Sequence, residues 1–246
     1  MITLARAAFV ILMTSAATVS ANAAEIKVFA SRAVATVLDR IGPEFEHATG
    51  SKLNVIVGFS PVFVQQINAG EPFDIIASPP GTIKTLVENG KVITETRTTL
   101  VRAGYGVAVR ANAPRPDVST TEAFKRALLD AKSIGHLPTP GVPELLERLK
   151  IAGAIKPKVT IPKTDIVNEL VAKGEIELGL IPITQVITTP GLALAGPLPP
   201  DIQVYTVFEA AVSANANAPD AARALIKFLT GPTAIPVIRA QGMEPG

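Results

Sequence analysis

Three serines occupy the same kind of place in the sequence. Ile26-Lys27-Val28-Phe29-Ala30, a run of strand character, leads straight into Ser31 and an amphipathic helical pattern. Residues 53–58 lead in the same way into Ser60, and residues 73–77 into Ser78. In an open parallel sheet the carboxyl end of a strand is where ligands bind. A helix start there offers free backbone N–H groups and the positive end of a dipole, and a serine adds a hydroxyl, so the natural guest is an anion. Arg32 follows Ser31 directly, and a guanidinium fork suits a planar carboxylate. Each serine also has a plainer use as a helix cap, and Pro79-Pro80 after Ser78 removes two donors. His136 ends a strand-like run, whereas His47 within Glu44-Phe45-Glu46-His47 reads as exposed helix surface.

Alternating strands and helices must hold these residues. After Ser31, Val34, Val37, Leu38, Ile41 and Phe45 recur at helical spacing and mark one buried face. Helices near 62–69 and 82–89 follow the next two strands, and Gly50, Gly70 and Gly90 stand just past the helix ends, where a left-handed residue stops a helix. Strand, helix, strand in this order argues for parallel pairing and an α/β layer. Residues 100–110 form a longer strand-like run with Gly104 and Gly106, emptying into Ala111-Asn112-Ala113-Pro114-Arg115-Pro116, which cannot be a helix interior. A second α/β series begins at Ser119-Thr120-Thr121-Glu122, which has capping-box spacing. It contains helices at 121–131, 143–152 and 165–173 and strands at 133–136, 158–161 and 178–181. Residues 187–200, rich in Pro and Gly, read as mostly loop. A strand at 203–208, a helix at 220–229 and a short helical tail close the chain. Two like-sized lobes fit this order better than one sheet.

Composition removes several classes of function. Apolar residues make up 48% of the 246 and charged residues 18%, which excludes a disordered chain. Residues 1–23 read as a cleaved export signal: Arg6, the apolar run 7–17, then Ala21-Asn22-Ala23. That run is too short to span a bilayer. Of 23 Lys and Arg only Arg6 goes with it, leaving 22 against 21 Asp and Glu. A near-neutral chain with two Tyr and no Trp lacks a nucleic-acid footprint. Without cysteine there is no disulfide, thiol nucleophile or lipid anchor, and with two histidines no zinc site is expected. An exported protein with no anchor points to a Gram-negative periplasm. No cofactor, no metal and no catalytic constellation is expected: there is no Walker loop, Gly-x-Ser-x-Gly elbow or His-Glu-x-x-His.

Three stretches together resemble the molybdate-type periplasmic solute-binding proteins of ABC importers. They are the strand–Ser–helix at 26–38, Gln65-Gln66-Ile67-Asn68-Ala69-Gly70-Glu71-Pro72-Phe73-Asp74-Ile75-Ile76-Ala77-Ser78, and Ala172-Lys173-Gly174-Glu175-Ile176-Glu177-Leu178-Gly179. The ending, from Asp220-Ala221-Ala222-Arg223-Ala224 through Phe228-Leu229-Thr230-Gly231-Pro232 to Gly242-Met243-Glu244-Pro245, is similar too. The resemblance implies a two-lobed type II periplasmic-binding-protein fold, each lobe a mostly parallel sheet flanked by helices. Residues 100–110 and 203–208 would be the two crossing strands, giving lobe I as 24–104 with 206–246 and lobe II as 105–205. It implies a monomer that captures a small anion between the lobes and delivers it to an inner-membrane permease.

Carried over residue by residue, Ser31 matches the first anion-holding turn and Ser60 the second. The chain departs from the pattern at Pro61, where the family tends to have another Ser or Thr. It departs at Pro182, on which a family tyrosine falls, and at Arg32, where molybdate binders are usually apolar. Two donors lost and a guanidinium gained favour an organic carboxylate over a small tetrahedral oxyanion such as molybdate. Lobe closure would add donors from Pro138-Thr139-Pro140-Gly141 and from around Thr184, with His136 at a strand end nearby. The expected ligand-binding set is therefore Ser31, Arg32, Ser60, Ser78, Thr139, Thr184 and His136. The alternative is a periplasmic isomerase of a tricarboxylate such as aconitate, which would need a general base beside a carboxylate-clamping arginine.

Overall fold

The structure, a computed structural model, describes residues 24–138, 141–162 and 166–246. The expected export signal lies outside the described residues. The first series runs β1 (Glu25–Ser31), α1 (Arg32–Thr49), β2 (Lys52–Gly58), α2 (Ser60–Asn68), β3 (Ile75–Ser78) and α3 (Pro80–Glu88). A long β4 (Thr98–Arg110) leads into α4 (Thr121–Asp130), β5 (Ile134–His136), α5 (Gly141–Arg148), α6 (Ala152–Ile155), β6 (Val159–Thr160), α7 (Val167–Lys173), β7 (Leu178–Pro182), α8 (Ile183–Thr188) and β8 (Leu192–Pro197). The chain ends with β9 (Tyr205–Val212), α9 (Pro219–Leu229), α10 (Ala234–Ala240) and β10 (Met243–Pro245).

The first strands pair as their order predicts: β2 and β3 both lie parallel to β1. Both faces of this sheet are covered, which is why β1 reads as a nearly unbroken apolar run. Ile26, Val28 and Ala30 join Val34, Val37, Leu38, Ile41 and Phe45 of α1 and Leu225 of α9 in one core. Phe29 points the other way, into a second core with Phe63, Ile67, Phe73, Ile76, Ile83 and Leu86. There its ring stacks on Phe63 at 4.9 Å between centroids and on Phe73 at 5.8 Å. Gly50, with φ of 74°, stops α1 and donates its N–H to Glu46 O, as a left-handed C-terminal residue does.

The sheet order is β2-β1-β3-β9-β4-β7-β5-β6, and β4 carries the chain from one lobe into the other. From Thr98 to Gly104 it pairs with β9, and from Tyr105 onward with β7 and β8. Gln203 fastens the crossing: its Oε1 accepts from Tyr105 N at 2.9 Å and Val204 N at 2.9 Å, and its Nε2 donates to Leu198 O at 3.2 Å. Tyr105, Val107 and Val109 then enter a core with Phe124, Leu128, Ile134 and Leu145, while Ala108 faces Val167, Val171 and Ile181.

Several local expectations need correction. Residues 187–200 are not mostly loop, because β8 pairs antiparallel with β4 from Leu192 to Pro197. Its Gly196 and Pro197 sit at the strand end beyond a register shift in β4, so composition masked a strand that long-range pairing makes. The capping box is displaced: Thr120 is the N-cap of α4 and accepts from Ala123 N, while Ser119 Oγ donates to Asp117 Oδ1 at 2.7 Å. The helix expected at 143–152 is broken into α5 and α6, with Lys150 at φ of 59° between them. The end of the chain adds β10, which pairs with β4.

Gly106 shows how tightly the crossing is packed. A Cβ there would stand 2.6 Å from Leu194 Cδ1 and 2.9 Å from the carbonyl oxygen of Gly196, which belongs to the backbone of the paired strand and cannot step aside. Gly106→Ala is therefore expected to cost about 1–3 kcal/mol. In a thermal melt this should appear as a fall of several degrees, at about 2–4 °C per kcal/mol.

Candidate functional site at the strand ends

Strand register brings the serines together. Phe29 and Ile76 are partners in the β1–β3 ladder, and so are Ala30 and Ala77. Ser31 and Ser78 come one residue later on the two strands. Alternation along a strand puts Ser31 on the side of Phe29 and Ser78 on the side of Ile76, the face covered by α2. Ser60 opens α2, whose Phe63 packs under the same face. Gly58, the β2 partner of Ser31, makes the approach possible: a Cβ there would stand 2.7 Å from the Phe63 ring.

The result is a chain of hydroxyls. Ser78 Oγ lies 3.3 Å from Ser31 Oγ and 3.1 Å from Ser60 Oγ. Ser78 is fully buried, Ser31 is 8% exposed and Ser60 is half-buried. None of the three makes a side-chain cap to its helix: Ser31 is the N-cap of α1 without a cap bond, Phe59 is the N-cap of α2 and Pro79 that of α3. The hydroxyls are thus occupied with one another at three strand ends, where α1 and α2 begin. Arg32 stands beside them, exposed and without an ion-pair partner among the described residues.

Sequence reading missed one charged pair here. Glu209 of β9 is the ladder partner of Ser78 and stands two residues before Ala211, so the two share the α2 side of the sheet. Arg97 holds it with two bonds, Nε to Oε2 at 2.6 Å and Nη2 to Oε1 at 3.2 Å. The bonds that Arg97 donates to Glu209 raise the Arg97 pKa above its ordinary value. The two residues are 112 apart in sequence, a separation that no local pattern reports.

The second lobe turns its own strand ends toward this place. β3 and β4 both lie antiparallel to β9 and so run the same way, and β7 lies antiparallel to β4. The carboxyl end of β3 thus points along β4 toward lobe II, and that of β7 points back. Ser78 is level with Glu209 and Thr99, and Pro182 is level with Tyr105. The intervening stretch of β4 is ~20 Å long at about 3.3 Å per residue. His136 ends β5, which pairs parallel with β7. It is 2% exposed and its Nδ1 donates to Leu137 O at 2.8 Å, so Nε2 is the ring nitrogen left for another partner. Thr184 lies in the first turn of α8, half-buried, and its carbonyl accepts from Thr188 Oγ1. Thr139 lies outside the described residues. No group of three or more His, Asp or Glu among the described residues is placed to hold a metal ion.

Residues 26–244 match the family described as bacterial extracellular solute-binding protein. The chain belongs to that family. Within it, the chain is 28% identical over 229 residues to an aconitate isomerase from a Pseudomonas species, covering 89% of this chain and 87% of that one. It is also 28% identical over 235 residues to the molybdate-binding protein ModA of Azotobacter vinelandii, covering 91% of both. Among solved structures, the sulfate-binding protein SubI from Mycobacterium tuberculosis superposes with a TM-score of 0.72 at 16% identity, over 90% of this chain and 87% of that one. That last likeness is one of fold: two lobes of the type II periplasmic-binding-protein kind.

Proposed function

We propose that this family member captures a small anion between its lobes in the periplasm and delivers it to the permease of an ABC importer. The observation that carries the reading is the meeting of Ser31, Ser60 and Ser78 at neighbouring strand ends, with none of them used to cap a helix. Hydroxyls and helix-start amides pooled in one place suit negative charge. The lobes are taken as 24–104 with 206–246 and as 105–205, with Thr139, Thr184 and His136 on the closing side. Removal of residues 1–23 as an export signal belongs to the same reading.

An organic carboxylate is the favoured ligand, because Arg32 is exposed beside Ser31 and no carboxylate of the described residues pairs with it. Arg32→Ala is expected to weaken carboxylate binding about 10- to 100-fold, the worth of a charge-assisted bond, with little change in melting temperature. Calorimetric titration of wild type and variant with di- and tricarboxylates, molybdate and sulfate tests it. Unchanged carboxylate affinity in the variant would return Arg32 to the solvated surface and favour the oxyanion.

A second reading has its own support. One relative is named an aconitate isomerase, and a carboxylate clamp at Arg32 with a proton acceptor at His136 Nε2 or Glu209 is the equipment such proton transfer needs. Incubation of the mature protein with cis- or trans-aconitate, followed by chromatography, separates the two. Recovery of the starting isomer alone with a raised melting temperature supports capture, and interconversion supports the enzyme.

A further inference from the structure

The three linked serines limit which anion the pocket suits, through a count of hydrogens. Each hydroxyl has one hydrogen to donate and lone pairs to accept with. Ser78 is sealed from solvent, and its side-chain partners among the described residues are Ser31 and Ser60. No water can stand in for them, so a Ser78 hydrogen left without an acceptor is costly. Its hydrogen therefore goes to one neighbour, and the other neighbour donates to Ser78. Two of the three hydrogens are used in this way. One end of the chain then presents an O–H to the gap between the lobes, and the other end presents a lone pair.

A ligand made only of acceptor oxygens can use one end of such a chain and repels the other. Turning both outer hydrogens toward it breaks one of the Ser78 bonds. A ligand with a hydroxyl of its own donates to the free lone pair and leaves both bonds intact. The carboxylate of Glu209, level with Ser78 on the same face of the sheet, adds a further acceptor for such a hydrogen. We infer that the pocket takes an anion carrying its own O–H donor, a hydroxy-carboxylate or a protonated oxyanion, over one of equal shape without it. Ser78 is the positioning residue that sets this preference. The inference rests on the reading of Ser31 and Ser60 as ligand groups.

Two matched pairs of probes test it by calorimetry at pH 7: citrate against tricarballylate, which lacks the hydroxyl, and phosphate against sulfate, which carries no hydrogen. Wild type should bind the first member of at least one pair about fivefold or more tightly, the worth of one hydrogen bond. The pair that responds tells an organic acid from an oxyanion. Ser78→Ala frees both outer hydrogens and should bring the ratio close to one. Ser60→Ala, at the half-buried end, leaves Ser31 as the one side-chain acceptor for the Ser78 hydrogen among the described residues. Ser31 then presents its O–H, no lone-pair end remains, and the ratio should narrow by weakening of the hydroxyl-bearing member. It serves if the buried substitution fails to fold. Equal binding within both pairs by wild type overturns the inference while leaving the pocket in place, as does a preference that neither variant changes. Failure of all four probes to bind wild type overturns the pocket itself and the inference with it.

Discussion

Ser60→Asp is expected to abolish anion binding while leaving the protein folded and nearly as stable as before. Ser60 is half-buried at the first position of α2, so a longer side chain has room to turn outward. A carboxylate in the first turn of a helix is mildly favourable, by about 0.3–1 kcal/mol. Against a bound anion the same charge is repulsive. At a separation of about 4 Å and an effective dielectric near 20 the repulsion is about 4 kcal/mol, or roughly three orders of magnitude in Kd. Titration with whichever anion binds wild type, beside a thermal melt of each protein, reads both quantities. A variant that keeps both its melting temperature and its affinity would place the ligand somewhere other than these strand ends.

The serines were legible because the information about them is local. A strand-like run, a serine and a helical pattern all lie within about ten residues. What draws them together is the two-residue alternation of a strand, which was legible, and the place of β1 between β2 and β3, which parallel pairing alone does not decide. The caution that each serine serves as a cap was also legible, and geometry disposes of it through Phe59, Pro79 and the missing cap bond at Ser31. The Arg97–Glu209 pair, the hidden strand β8 and the terminal β10 were not legible. Each depends on partners far away in sequence, and β8 also carries Gly and Pro that speak locally for a turn. His136 illustrates the middle ground. Its place at a strand end was readable, but its burial and the bond from Nδ1 to Leu137 O depend on how β5 is covered.

Charge at the strand ends follows from these placements. Glu209, the ladder partner of Ser78, is answered by Arg97 with two bonds, so it would bring little net repulsion to an anion. On the proposed reading, Arg32, which has no ion-pair partner among the described residues, would supply the attraction together with the helix starts. Selectivity would then fall to the hydroxyls, whose hydrogens are limited in number. Attraction and discrimination would thus reside in different residues, and substitutions at Arg32 and Ser78 should change different observables: absolute affinity in one case, the ratio between matched anions in the other.

Asp74→Ala is expected to be among the most damaging single substitutions to stability, and the linked serines at the strand ends should survive it. Asp74 is 1% exposed and stands just before β3, at the end of the sheet remote from Ser78. Its Oδ2 accepts from Lys27 N at 2.8 Å and its Oδ1 from Ala218 N at 3.0 Å. Its own N–H donates to Lys27 O at 2.9 Å, and its carbonyl accepts from Ser213 N at 2.9 Å. One carboxylate therefore ties β1 to the returning segment that leads into α9. Alanine leaves two half-buried backbone donors, Lys27 N and Ala218 N, without this acceptor, at about 1.5–3 kcal/mol each for bonds to a charged group, or roughly 3–6 kcal/mol together. The melting temperature should fall by about 6–24 °C. Asparagine should recover less than half of this, because its NH2 must face one of the two N–H groups it replaces an acceptor for. At a temperature well below the transition, the folded fraction should bind anion as wild type does, since the lost bonds lie at the far end of β3. A loss of binding without a fall in melting temperature would instead couple this end of the sheet to the strand ends that carry the serines.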